Sequence, residues 1–188
     1  QWMKTGRGII HSEMPAMKEG KLLGFQLWIN MPAKSKMNKP EYLYIKNDQL
    51  GVHKDNEKIV KVIAGKFENA EGPEKGHNVD PIYFHIVLEK DKEFKCDVPS
   101  GHNSFIYLLA GDLSVGKNKH DKTNNSNLIL LDRGDKLIVK ANKKSEFLFI
   151  AGKPIGEPIA RGGPFVMNTK AEILQAVQDY HNGTFAKY

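Results

Sequence analysis

Residues 81–89 divide into two alternating sets of side chains, and this pattern restricts the fold more than any other feature of the sequence. One set consists of Ile82, Phe84, Ile86 and Leu88, and the other of Tyr83, His85 and Val87. A period of two indicates a β-strand. Similar stretches occur at residues 22–31, 59–64, 104–110, 128–131, 136–140 and 146–151. Gly-Asp pairs at residues 111–112 and 134–135 predict turns between strands. Many short strands separated by turns predict an antiparallel sandwich or barrel.

The end of the chain has a different period. Thr169 and Glu172 have the spacing of a helix capping box, and Asn182-Gly183 is a helix stop signal. The apolar residues between them that share one helical face are Ile173, Leu174, Val177 and Tyr180. The pattern predicts one amphipathic helix of about three turns, packed on the β core. Polar stretches at residues 68–80 and 117–127 predict loops.

Charge and cysteine content restrict the class of protein. The 188 residues carry a net charge of +6, but all except three of the 28 basic residues are lysines, and they are scattered. Because phosphate and base recognition relies heavily on arginine, we expect a solvated surface and no direct nucleic-acid partner. No apolar run approaches the roughly 18 residues of a membrane span, so no membrane partner is expected. A lone cysteine, Cys96, favours a reducing compartment, which we take to be the cytoplasm, with the nucleus as the alternative.

A histidine and a glutamate near the start of the chain are the candidate chemical site. His11 and Glu13 are two residues apart, so in a strand both side chains project to the same side. An imidazole beside a carboxylate can bind iron, zinc, copper or manganese if further ligands complete the site. Gly6 and Gly8 allow a sharp turn before this segment. The spacing alone is weak support, because such pairs are common on solvated strands.

The residues around this pair resemble the second cupin motif of the pirin family. They read Gln1-Trp2-Met3 and then Gly6-Arg7-Gly8-Ile9-Ile10-His11-Ser12-Glu13-Met14-Pro15. Further similar motifs follow in order: Gly24-Phe25-Gln26-Leu27-Trp28-Ile29-Asn30, Lys36-Met37 with Pro40 and Tyr42, Ser104-Phe105-Ile106-Tyr107 with Gly111-Asp112, Ala151-Gly152-Lys153-Pro154 with Glu157-Pro158, and Gly163-Pro164-Phe165-Val166-Met167-Asn168-Thr169. The resemblance therefore runs from Gln1 to the terminal helix.

This resemblance implies two cupin barrels in tandem, with iron held in the first by three histidines and one glutamate. We expect an all-β chain: residues 1–45 as remnant strands of the N-terminal cupin, and residues 46–188 as the C-terminal cupin, a double-stranded β-helix barrel ending in one α-helix. His11 and Glu13 match the last histidine and the glutamate. The other two histidines belong to a His-Pro-His-Arg-Gly motif that this sequence lacks, and we expect it upstream of Gln1. Iron binding by this chain is therefore expected to be weak or absent.

The second cupin offers no replacement site in the sequence. His102 lies where a first cupin motif would place a ligand, but residue 104 is Ser104 and residues 145–147 contain no histidine. We interpret His102 as an ordinary surface or loop histidine. His85 is interpreted as a packed or half-exposed side chain, and Cys96 lacks a partner histidine nearby in sequence. The remaining histidines, which are His53, His77, His120 and His181, lie in polar or helix-terminal contexts.

Three functions remain open at this point. The first is an iron-dependent, quercetin 2,3-dioxygenase-like enzyme acting on a flavonoid-type small molecule, with Glu13 as metal ligand and candidate base. The second is a non-enzymatic pirin-like transcription co-regulator or protein-interaction module. The third is a relic that keeps the fold without a defined activity. Apolar residues of the N-terminal remnant predict a protein partner or self-association, and two copies could join their His11–Glu13 pairs in one shared site.

Overall fold

The computed structural model describes residues 1–14, 19–20, 22–75, 78–116, 122–123 and 128–186, with backbone only at 122–123. The strands are β1 (Trp2–Lys4), β2 (Glu41–Leu43), β3 (Gly51–Lys54), β4 (Lys58–Ala64), β5 (Lys66–Phe67), β6 (Ala70–Glu71), β7 (Ile82–Leu88), β8 (Glu93–Asp97), β9 (Asn103–Val115), β10 (Lys122–Thr123), β11 (Leu128–Leu131), β12 (Lys136–Gly152), β13 (Ala160–Gly162) and β14 (Phe165–Met167). The helices are α1 (Ala33–Lys36) and α2 (Lys170–His181), and a 3-10 turn spans Asn47–Gln49.

The chain forms two compact units. One consists of Ile45–Pro154, and the other combines Gln1–Tyr44 with Ile155–Tyr188. The first, which we call the barrel unit, contains an eight-stranded antiparallel sheet. Its strand order is β10-β9-β12-β7-β4-β3, with β11 also paired to β9 and β8 also paired to β12. The long strand β12 thus pairs with three others and organises the unit.

Alternation along the strands gives the barrel unit its core. Val60 and Val62 on β4 are buried, as are Phe84 and Ile86 on β7, whereas their sequence neighbours are partly exposed. Strands β9 and β12 add further buried side chains, namely Ile106, Leu108, Leu113, Val139, Phe147 and Phe149. Ring contacts connect five phenylalanines in this core, namely Phe67, Phe84, Phe94, Phe147 and Phe149. The ring centroid of Phe67 lies 5.8 Å from that of Phe84 and 5.2 Å from that of Phe94. The core is therefore a packed apolar interior.

The second unit, which we call the terminal unit, joins the two ends of the chain. Strand β1 pairs with β2, and β13 pairs with β14, each as a two-stranded antiparallel sheet. Helix α2 packs on the β13–β14 hairpin, where Gly162 leaves room for the side chain of Ile173. Residues 5–14 and 22–32, where described, lie outside helix and strand.

Most predicted strands are confirmed, as are the all-β class and the single long C-terminal helix. The capping box is confirmed as well: Glu172 N donates to Thr169 Oγ1 at 3.3 Å, and Thr169 N donates to Glu172 Oε2 at 2.7 Å. The predicted loop at residues 68–80 contains the short strand β6, and the one at 117–127 contains β10 and otherwise lies outside the described residues.

Two predictions were wrong in detail. Residues 22–31 form no strand, because no neighbouring strand pairs with them in the described part of the chain. The predicted turn at residues 111–112 lies inside β9, where Gly111 adopts a φ of +102° opposite a register shift in β12. The packing of helix α2 on the β core stays a prediction.

The predicted division at residue 45 stays a prediction about family domains, but the contacts group the chain differently. The terminal helix and its hairpin belong to the same compact unit as the N-terminal 44 residues. Within the described residues, no helix has the length and apolar character needed to cross a bilayer.

Candidate functional site

The structure brings His11 and Glu13 together in the terminal unit. His11 Nε2 lies 3.8 Å from Glu13 Oε1, and both side chains are open to solvent, with 35% and 58% of their areas exposed. The two donor groups therefore share one side of the chain, as their spacing predicts, although their segment is not part of a sheet. An imidazole nitrogen and a carboxylate oxygen at this separation can bind one first-row metal ion with little rearrangement.

Gln26 is a site residue that the sequence did not single out. Its Nε2 donates a hydrogen bond to Glu13 Oε1 at 3.1 Å. The bond restricts the orientation of the carboxylate, whose oxygens keep further lone pairs for a metal ion. A polar residue between Phe25 and Leu27 was the signal available in the sequence, but nothing there showed that this stretch lies beside Glu13.

A glycine turn leads into the pair. Gly8 N donates to Thr5 O at 2.8 Å, and Arg7 N donates to Asn38 O at 3.0 Å, so the turn is tied to the end of the segment that follows α1. Gly6 has a φ of +48°, and a Cβ added there would lie 2.1 Å from Asn38 O. Only glycine fits this close approach, which explains the Gly-Arg-Gly sequence three residues before His11.

A second histidine–acid pair with the same spacing has a different role. His53 Nε2 lies 3.1 Å from Asp55 Oδ2 at the β3–β4 turn. Asp55 Oδ1 also accepts hydrogen bonds from the backbone of Glu57 at 2.7 Å and of Lys58 at 2.8 Å. These bonds, led by the one from Glu57, hold the pKa of the Asp55 carboxyl well below its usual range. This pair is a turn-forming device, and it shows that the spacing alone does not define a metal site.

Among the described residues of the barrel unit, the candidate ligands are not brought together around a common point. His102 lies in the loop before β9, one of the two expected settings, but it is buried rather than at the surface, and its Nε2 lies 3.2 Å from Asp80 O. His85 is half-buried and its Nε2 lies 2.7 Å from Glu146 Oε1, which connects β7 to β12 on the side of the sheet opposite the core. Ser145 is buried and its hydroxyl accepts from Asp112 N at 3.0 Å. His85 and Ser145 therefore have structural partners, and so does Nε2 of His102, whereas Nδ1 of His102 is buried without a hydrogen-bond partner among the described residues.

Cys96 is a poor nucleophile in this structure. Burial, with a smaller contribution from the neighbouring Asp97 carboxylate, raises the pKa of the Cys96 thiol to about 12. The thiolate form is therefore scarce near neutral pH. Of the remaining histidines, His181 ends helix α2, whereas His77 and His120 lie outside the described residues.

The donor types of the pair fit a first-row metal, but their number does not fit a complete centre. Among the residues that the structure describes, no group of three or more histidine, cysteine, aspartate or glutamate side chains is placed to hold a metal ion. His11 and Glu13 supply two of the four ligands that the family resemblance implies. Water would have to fill the other positions, and such a site binds metal much more weakly than a four-ligand site.

Comparison with known proteins identifies the family. The family model described as the pirin C-terminal cupin domain matches residues 83–186, and the model described as pirin matches residues 1–29. A pirin-like protein of Caulobacter vibrioides is 39% identical over 187 residues, which is 98% of this chain and 67% of that protein. Human pirin is 36% identical over 186 residues, covering 97% of this chain and 63% of that protein.

A solved structure shows the same fold. The quercetin 2,3-dioxygenase of Acinetobacter baumannii superposes with a TM-score of 0.77 and 31% identity, over 85% of this chain and 56% of that one. The cupin fold predicted from the sequence is thereby confirmed. The chain spans about two thirds of the curated relatives' length and little more than half of the solved enzyme. By matches that extend over almost its whole length, the chain belongs to the pirin family.

Proposed function

We propose that this chain carries half of the metal site of a quercetin 2,3-dioxygenase-like pirin. The observation that carries the proposal is the placement of His11 Nε2 and Glu13 Oε1 3.8 Å apart, with Gln26 bonded to the same carboxylate oxygen. The similarity to a solved quercetin 2,3-dioxygenase supports the same assignment. The metal is iron by family resemblance, and the substrate is a flavonoid-type small molecule. We expect the protein in the cytoplasm, with the nucleus as the alternative.

The roles of the three side chains follow from their donor atoms. His11 offers an imidazole nitrogen, and Glu13 offers a carboxylate oxygen. Gln26 restricts the Glu13 carboxylate to fewer orientations, so less conformational entropy is lost when a metal binds. A working centre needs two further ligands, and the described residues do not bring any to the pair. Metal-dependent oxidation by this chain alone is therefore expected to be weak.

A metal titration of the purified chain tests this proposal. Co(II) serves as a spectroscopic probe of the pair, and elemental analysis measures the iron that the chain retains. We expect weak Co(II) binding that His11→Ala and Glu13→Gln each abolish. The matched control is His53→Ala, which removes the other histidine of the same spacing and should leave Co(II) binding unchanged. Binding that survives His11→Ala would overturn the assignment, as would equal losses in the control.

Activity is tested separately by quercetin consumption under added Fe(II). We expect a low rate that requires His11. A rate equal in the wild type and in His11→Ala would contradict a role for the pair in catalysis. Iron at one equivalent per chain would show that the site is completed from elsewhere, and less than about a tenth of an equivalent would mean that the chain alone is not the enzyme.

A second candidate function is protein association through the N-terminal apolar surface, which we define as Ile10, Met14, Leu22, Leu23, Phe25 and Trp28. These side chains are exposed, up to 88% for Met14. The Glu13–Gln26 hydrogen bond brings the two stretches that carry them side by side. We propose a second copy of this chain as the partner. Such a surface offers on the order of 500 Å² of apolar area per copy, so two copies reach the roughly 1,000 Å² that a specific interface needs.

Sedimentation or light scattering at increasing protein concentration tests this association. We expect a monomer–dimer equilibrium that Leu23→Glu shifts to the monomer. The control is Leu174→Glu, because Leu174 is similarly exposed, at 64% against 70% for Leu23, but lies on α2. A strict monomer at high micromolar concentration would rule out self-association and leave a co-regulator role to other surfaces.

A further inference from the structure

The two ends of the segment that carries the candidate site are both fixed by the C-terminal part of the terminal unit. This segment runs from Gly8 to Ala33 and includes His11, Glu13 and Gln26. Its described interior lies outside helix and strand. Something other than sheet pairing must therefore hold the site residues where they are.

At its first end, the segment is held by an aromatic contact. Gly8 is buried, and a Cβ added to it would lie 2.4 Å from Cζ of Phe185, so the Phe185 ring packs directly on the Gly8 backbone. Gly8 has a φ of +134°, which other residues rarely adopt. His11 follows three residues later. The position of the Phe185 ring therefore sets where the chain enters the site.

The Phe185 ring is itself well fixed. Its centroid lies 5.4 Å from that of Phe165 on β14 and 6.2 Å from that of Tyr180 on α2, both in edge-to-face geometry. The backbone N–H of Phe185 donates to Asp179 O at 2.9 Å, which continues the bonding pattern at the end of α2. The ring is thus a rigid extension of the helix–hairpin pair.

At its other end, the segment is held by a polar network. Ala33 N donates to Glu157 Oε2 at 2.7 Å, and Asn168 Nδ2 donates to the same oxygen at 2.9 Å. Lys36 is buried, and its Nζ donates to Asn30 Oδ1 at 2.6 Å and to Val166 O at 3.0 Å. The network links α1 and the residues before it to the β13–β14 region.

Burying a lysine lowers the stability of the fold unless hydrogen bonds or opposite charges satisfy its ammonium group. The hydrogen bonds of Lys36 therefore require this arrangement of α1 and β14. Burial lowers the pKa of Lys36, and the carboxylates of Glu157 and Glu172 partly oppose that shift. Between the two ends, the Arg161 guanidinium lies 5.1 Å from the centroid of the Trp28 ring. All three contacts join the site segment to residues 155–186.

We propose that residues 155–186 act as a clamp that positions the His11–Glu13 pair, with Phe185 as the main positioning residue. The clamp holds the site segment at both ends, while the pair between them stays open to solvent. Its effect on metal binding rests on the proposed function, whereas its effect on the conformation of the pair does not. In this proposal, helix α2 and the residues that follow it help to position the His11–Glu13 pair.

The first test measures conformation by nuclear magnetic resonance. In Phe185→Ala, we expect the amide exchange of Arg7 and Gly8 to increase by about tenfold, because their hydrogen bonds depend on the turn beneath the ring. The imidazole resonances of His11 should shift at the same time. In Phe185→Leu, both measurements should return most of the way to their wild-type values. Leu174→Ala, which changes an exposed residue of helix α2, should alter neither.

Exchange in the barrel strand β7 serves as an internal reference and should stay unchanged. Unaltered exchange at Arg7 and Gly8 together with unaltered His11 resonances in Phe185→Ala would overturn the clamp. If Phe185→Ala does not fold, Glu157→Gln tests the other end, where faster exchange of the Ala33 amide and a shift of the Gln26 side-chain resonances are expected. No change in either would also overturn it.

The second test measures Co(II) affinity of the same variants. We expect several-fold weaker binding in Phe185→Ala, recovery in Phe185→Leu and no change in Leu174→Ala. Equal affinity in Phe185→Ala and the wild type would overturn the positioning role. Should the wild type bind no Co(II), the proposed function fails, and the exchange and resonance measurements still decide the clamp on their own.

Discussion

The ring of Phe67 stacks on that of Phe94 in the barrel unit, with 5.2 Å between centroids and 26° between ring planes. Phe94 in turn contacts Phe147 edge-to-face at 6.1 Å, and Phe94 and Phe147 are fully buried. These rings fill the interior of the barrel unit between its strands with closely packed apolar side chains.

Removing one of these rings should destabilise the barrel strongly. We expect Phe94→Ala to lower the free energy of unfolding by about 3–5 kcal/mol, because it removes buried apolar area and leaves a cavity among the remaining rings. Phe94→Leu should cost less, since it keeps most of the volume. Urea unfolding followed by far-ultraviolet circular dichroism measures both. A loss below about 1 kcal/mol for Phe94→Ala would contradict the packed interior.

Asp55 should make stability depend on pH. Its folded pKa lies below the ordinary value of 3.8, so its contribution to stability is present above that value and is lost as the pH falls through the folded pKa. Asp55→Asn should therefore reduce the loss of stability on acidification below about pH 4. Urea unfolding at a series of pH values measures this, with the exposed Asp97→Asn as control. An acid slope unchanged by Asp55→Asn would contradict the prediction.

A side chain at position 111 should destabilise the barrel unit. Gly111 has a φ of +102°, and an added Cβ would lie 2.2 Å from Ser145 Oγ. We expect Gly111→Ala to destabilise the barrel unit by about 1–3 kcal/mol through backbone strain and displacement of Ser145. Gly134→Ala is the matched control, because nothing lies within 4 Å of a Cβ at that position. Thermal unfolding compares the two variants, and equal melting temperatures would refute the explanation.

Cys96 should react slowly with alkylating reagents. Its raised pKa keeps the thiol protonated near neutral pH, and its side chain packs against the core cluster. We expect iodoacetamide to modify the folded protein much more slowly than the urea-unfolded protein at the same pH. Mass spectrometry of timed samples measures the rates. Equal rates would contradict the prediction, because the thiol of the folded protein would then be as accessible and as readily ionised as that of the unfolded protein.

The strands could be predicted from the sequence because alternation is a local property. The pattern at residues 81–89 became β7, which buries alternate side chains, and residues 128–131 became β11, in which Ile129 and Leu131 are partly buried against the core while Leu128 and Leu130 are exposed. The capping box likewise fixed the start of α2 through bonds within four residues. The turn predicted from the Gly-Asp pair at residues 111–112 was wrong, because a local turn signal does not distinguish a turn from a bulge inside a long strand.

The sequence by itself determined the family, the all-β class and the pairing of His11 with Glu13, because each depends on motifs or on residues two positions apart. Only the tertiary structure showed that Gln26 bonds to Glu13, that Phe185 packs on Gly8, and that Lys36 is buried against Val166. Those contacts join residues between 13 and 177 positions apart, and no local pattern encodes them. They arise because burying apolar surface and satisfying buried polar groups are properties of the whole folded chain.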